Sequence, residues 1–90
     1  MKIDFSQPIV LPLGEESGLT LGKVALAALN APSREPLSIV EAMKRGNLAI
    51  RVAEGGDHEI TPEEATLIRG QLPHAWAPVV VAIAAKMLEG

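Results

Sequence analysis

The sequence has no cysteine and no tyrosine, and its aromatic side chains are Phe5 and Trp76 alone. Without cysteine there can be no disulfide, no thiolate metal site and no thiol redox chemistry. With two rings, the core has to be assembled from Leu, Ile, Val, Ala and Met, which bury less area per residue than aromatics do. A basic excess is also missing: 8 Lys and Arg stand against 11 Asp and Glu, a net charge of −3. Residues 46–90 carry the imbalance, with three basic groups against six acidic, whereas residues 1–45 hold five of each. No nucleic-acid partner is expected, because displacing counterions from phosphates requires a basic footprint. The opening MKIDFSQPIV has no charged region followed by a long apolar run, so it does not read as a secretory signal. The longest apolar run, Ala75 to Ala85 (AWAPVVVAIAA), would span roughly 16 Å as a helix, about half a bilayer core. A soluble chain without membrane partners is expected.

What is present is 48% hydrophobic residues in 90 positions, enough for one small domain around one core. Residues 1–21 read as a hairpin: imperfect alternation through Ile3 and Phe5, a polar turn over Gly14-Glu15-Glu16-Ser17-Gly18, then Leu19-Thr20-Leu21. Pro8 and Pro12 confine its first strand to an edge. Leu21, Val24, Ala25, Ala28 and Leu29 then fall on one helical stripe behind a Thr20 cap, giving a helix over 21–30. A connection with Pro32 and Pro36 leads to Ser38-Ile39-Val40-Glu41, a capping-box pattern that opens a helix over 39–54. Its main stripe is Ile39, Met43, Gly46, Ile50 and Ala53, and Gly55-Gly56 ends it. Asp57 to Ile60 has room for a short strand that could pair with the N-terminal hairpin. Thr61-Pro62-Glu63-Glu64 opens a helix over 62–72 with a cap, a first-turn proline and a glutamate reaching back. Ala65, Ile68 and Leu72 point inward there, and Pro73 stops it. A last helix over 75–88 tolerates Pro78 in its first turn. The expected fold is α+β and mostly helical, a hairpin packed on three to four short helices with the last helix central.

Each chemical motif in the chain has a plainer reading. Gly18-Leu19-Thr20-Leu21-Gly22-Lys23 has three residues between glycines and Val24 after the lysine, where a phosphate loop needs four and then Ser or Thr. It reads as a strand-to-helix turn. A calcium loop starting at Asp57 would place Pro62 where glycine belongs and Ile68 where a bidentate glutamate belongs. Solvated carboxylates, with Glu63 and Glu64 at a helix N-terminus, account for that stretch. His58 and His74 are sixteen positions apart with no nucleophile spacing around either, and read as loop or cap histidines. Neither a catalytic residue, a metal ligand nor a cofactor-binding residue is expected.

Two helical faces stand out. Leu48 and Val52 lie one turn apart opposite the main stripe of their helix, flanked by Lys44, Arg45 and Arg51. An apolar centre with arginines beside it matches a protein-recognition patch; the competing reading is that the hairpin covers both residues. In the last helix Trp76, Val80, Ile83 and Met87 form one face, and Ala77, Val81, Ala84 and Leu88 form a second of smaller residues. Two apolar faces need two neighbours, so self-association through Trp76, Ala77, Val81, Ala84 and Leu88 is expected, giving a homo-oligomer.

MKIDFSQPI, LTLGKVALAAL, LAIRVAEGGDHEITPEEATLI and the ending APVVVAIAAKMLEG together resemble a group of small proteins encoded by tailed phages and prophages. The resemblance spans nearly the whole chain and carries no catalytic signature. It implies a viral origin and a bacterial host cytoplasm, or attachment to a virion. Taken with the apolar faces above, the expected function is a non-enzymatic interaction or assembly protein of phage origin whose partner is itself and a phage or host protein. The alternatives are an inhibitor of a host defence or regulatory protein, and a small-ligand binder with a pocket near Trp76.

Overall fold

Three of the four helices start where a short polar side chain can satisfy their free amides, while the last starts behind Ala77 with no side-chain cap. Thr20 Oγ1 accepts from Lys23 N at 3.3 Å, Ser38 Oγ from Glu41 N at 3.1 Å, and Thr61 Oγ1 from Glu64 N at 3.1 Å. The computed structural model describes residues 1–14, 16–33 and 35–89, with Leu13 and Glu16 described through their backbones alone. Glu15 of the expected hairpin turn and Arg34 of the proline-containing connection lie outside the described residues. The elements run β1 (Lys2–Asp4), β2 (Pro8–Val10), a 3₁₀ turn (Pro12–Gly14), β3 (Glu16–Thr20), α1 (Leu21–Leu29), α2 (Ile39–Ala53), β4 (Asp57–Glu59), α3 (Pro62–Ala75) and α4 (Pro78–Met87). The fold is α+β and mostly helical.

The N-terminal region is divided between two antiparallel pairs. β1 pairs with β4, Ile3 opposite His58, and β2 pairs with β3 in an irregular hairpin whose register shifts between Pro8 and Val10. Ser17 Oγ fills that irregularity by donating to the Ile9 carbonyl at 2.7 Å and accepting from Leu19 N at 3.1 Å. The expected single hairpin over 1–21 is thus corrected. Its first three-residue strand is separated by a turn at Ser6, where Ser6 N and Oγ both donate to Asp4 Oδ1, and is carried to a partner 55 residues downstream.

α1, not the last helix, is central: it packs against α2, α3 and α4 and buries Leu21, Gly22, Val24, Ala25, Ala28 and Leu29. Ala and Gly on this helix let its neighbours come close. At Gly22 an added Cβ would run into the Val52 carbonyl oxygen and lie 3.0 Å from that of Phe5, so α1, α2 and the β1–β2 turn meet backbone to backbone. The core is apolar throughout, with Phe5, Ile9, Leu21, Ile60, Ile68, Leu72 and Leu88 its largest fully buried side chains and no buried polar one among the described residues. α3 runs on past the expected stop at Leu72 to Ala75, because Pro73 sits in the final turn, where the loss of one N–H costs a single bond. α4 begins at Pro78, its first helical residue, three positions after the expected start.

Candidate protein interface

The N-terminal half of α2 stands with little help from the core. Beyond its Ser38 cap it carries an i,i+4 pair, Arg45 Nε to Glu41 Oε1 at 3.2 Å. Gly55 and Gly56, at φ of 72° and 75°, end it as only glycine readily can. Among the described residues from Asn30 to Asn47 none is buried. The helix holds on to the domain through Leu48, Ala49 and Val52 near its C-terminal end.

This arrangement inverts the expected orientation of α2. Leu48 and Val52 are buried in the same cluster as Phe5, Leu21 and Val24, so they form core and not a recognition patch. The flanking basic residues serve the inside as well: Arg45 holds Glu41, and Arg51 donates to Glu64 Oε2 and to the Glu59 carbonyl, both at 2.8 Å. Their long stems border the buried face while their heads reach polar partners. Lys44 is exposed at the margin. The stripe expected to face the core faces outward instead, with Ile39 77%, Val40 73%, Ile50 64% and Met43 60% exposed. Ala42, Gly46, Asn47 and Ala53 are exposed beside them, and an added Cβ at Gly46 would meet nothing within 4 Å. The seam from Ile39 to Ala53 carries no charge along Ile39, Met43, Gly46, Ile50 and Ala53.

The second expected face, on the last helix, is largely used within the chain. Ala84 and Leu88 are fully buried, while Trp76 and Val81 are half-buried against the core and Ala77 is exposed. Trp76 Nε1 donates to the Val24 carbonyl at 3.0 Å, which pins the end of α3 to α1. Beside the ring lies an open cleft of about 410 Å³ lined by Pro73, Trp76, Pro78, Val81 and Ala82. It offers apolar surface, and its indole N–H is already committed, so no polar group there fixes the orientation of a ligand.

The chemical candidates are dispersed. His58 Nε2 is 2.9 Å from the Gly55 carbonyl and its ring lies 6.0 Å from that of Phe5, whereas His74 is exposed in the last turn of α3. Glu59 is paired with the terminal amino group of Met1 at 3.3 Å and Glu64 with Arg51. Among the described residues no three metal-capable side chains converge. In the turn resembling a phosphate loop, the amides that would face an anion are taken. Leu21 N donates to Gln7 O, Gly22 N to Phe5 O and Lys23 N to Thr20 Oγ1. No helix among the described residues is long and apolar enough to cross a membrane.

The outward stripe of α2 is the feature that sequence reasoning assigned to the wrong side. Its signal was the stripe's own regularity next to a shorter apolar set, Leu48, Ala49 and Val52, on the opposite face. Compared with known proteins, the chain matches no family, no curated protein and no solved structure.

Proposed function

We propose that this chain is a non-enzymatic protein-interaction or assembly protein that works through the outward face of α2. The observation that carries the reading is the concentration of exposed apolar surface there. Ile39, Val40, Ile50 and Met43 are the four most exposed large apolar side chains among the described residues, and all belong to one helix. Single exposed apolar residues are ordinary, but a contiguous set bordered by polar groups marks a contact surface. Contact is favoured over catalysis because acid and base groups must converge on a reacting atom, whereas here His58, Asp4, Glu41, Glu59 and Glu64 are each engaged with a separate partner and His74 is exposed at the end of α3. The resemblance to small tailed-phage and prophage proteins supports a bacterial cytoplasmic or virion setting. It also supports a role in assembly, with occupation of a host protein as the alternative. The apolar cleft beside Trp76 favours a second reading, a small apolar ligand.

The test is a photo-reactive residue placed at Met43, with the same residue at exposed Val79 as control, in cells that make the protein. The reading predicts a covalent adduct to a protein from position 43 and none from position 79. Absence of an adduct at position 43, or equal adducts at both, overturns it.

A further inference from the structure

We infer that the occupant of this face is a second copy of the chain, laid antiparallel so that Ile39 of one copy meets Ile50 of the other and Met43 meets Gly46. This rests on the reading of α2 as a contact face and adds what covers it and in which direction.

Three features of the stripe support a self-complementary pair. Ile39, Met43, Gly46, Ile50 and Ala53 are spaced 4, 3, 4 and 3 apart, the repeat of a seam that packs along another helix at a shallow angle. A reversed copy gives each layer a workable volume, because the long Met43 lies over the absent side chain of Gly46 and the two isoleucines close the ends. A parallel copy would set Met43 on Met43 and leave a gap where glycine faces glycine. Gly46 is the third feature. A glycine inside a helix is destabilising relative to alanine, and nothing in its own chain requires it, since the space around it is open. A second helix passing at that point does require it. Gly70 in α3 is equally open, but its neighbours on that face, Thr66 and His74, are polar and exposed, so no such seam surrounds it.

Area sets the strength. A helix of 15 residues is about 22 Å long, and pairing along it would hide roughly 500 Å² on each copy, about 1,000 Å² in all, the low end for a specific interface. The dimer is therefore weak, with a dissociation constant on the order of 10–100 μM, and the chain exchanges between monomer and dimer.

The cysteine-free sequence permits single nitroxide labels through Lys44→Cys and Glu54→Cys, both at exposed positions outside the seam. In the antiparallel dimer the two-fold axis passes between residues 44 and 45. Labels at 44 then lie roughly 10–20 Å apart, about one helix separation plus the linkers, and labels at 54 lie roughly 30 Å apart, from about 1.5 Å of rise per residue. Dipolar spectroscopy reads both distances, and sedimentation equilibrium reads the dissociation constant. Gly46→Ala, which the open space lets fold, should weaken the dimer at least tenfold while Val79→Ser leaves it unchanged. Short distances at both labels, a Gly46→Ala variant as tight as the parent, or a wild-type chain that is monomeric at about 500 μM overturns the inference. A monomeric chain that still gives a Met43 adduct to a foreign protein removes the second copy and leaves the contact face standing. A monomer with no adduct removes both.

Discussion

Arg51 Nη1 donates to Glu64 Oε2 at 2.8 Å, so a side chain from the last turn of α2 grips the first turn of α3. Glu64 also closes the capping box by accepting from Thr61 N at 3.0 Å. Burial pushes its carboxyl pKa up, but the Thr61 amide, the Arg51 charge and hydrogen bond, and the Thr61 hydroxyl outweigh burial and hold it below the ordinary value. A carboxyl depressed in the folded state adds stability that is complete above its unfolded value, about 4.3, and is lost as pH falls through the folded one. Asp4, held low by the Ser6 hydroxyl and amide, acts in the same direction. The melting temperature should therefore fall between about pH 5 and pH 3, and Glu64→Gln should flatten part of that fall. Parallel curves for variant and wild type would contradict the role of the pair.

The orientation of α2 makes a paired prediction. Leu48→Ala should cost about 2–4 kcal/mol and Val52→Ala about 1–3, as buried truncations do. Ile39→Ser and Ile50→Ser should stay within about 0.5–1 kcal/mol in dilute solution. Denaturant midpoints at low micromolar protein check it. Large losses at 39 and 50 with small ones at 48 and 52 would turn the helix over.

Two glycines predict opposite signs for one substitution. Gly22→Ala should destabilise by about 1–3 kcal/mol, because the methyl meets the carbonyls of Val52 and Phe5. Gly46→Ala should stabilise the dilute monomer by about 0.5–1 kcal/mol, since a better helix former enters open space. Thermal melts at low micromolar concentration give both.

Trp76 anchors α3 to α1 through its indole N–H on the Val24 carbonyl. Trp76→Phe keeps most of the ring and deletes the bond, so about 1 kcal/mol should be lost. A loss near zero would mean that the ring, and not the bond, fixes the helices.

Much of this fold was legible because the signals were local. The helices begin at Thr20, Ser38 and Thr61 as their caps dictate, and α2 ends at Gly55-Gly56. The order of packing was less legible. The pairing of β1 with β4 joins residues far apart in sequence, and the central place of α1 follows from small residues whose value lies in close approach. The face of α2 was misread because periodicity reports that a stripe exists and does not say which side of it is water. Ile39, Met43, Gly46, Ile50 and Ala53 form the longer and cleaner stripe. The deciding contact is the backbone meeting of Gly22 with Val52, which turns Leu48, Ala49 and Val52 inward and has no counterpart in the pattern of α2 itself.

That the outward side of α2 is covered by protein is tested most directly by amide hydrogen exchange of residues 39–47 over a series of chain concentrations. None of these residues is fully buried within its own domain, and a weakly packed half-helix exchanges through local opening. Protection of residues 39–47 should rise about three- to ninefold between about 1 μM and 500 μM chain, the range in which a weak dimer fills, while residues 62–72 of α3 stay unchanged. Protection of residues 39–47 that is the same at every concentration would contradict the pairing of α2 with its copy.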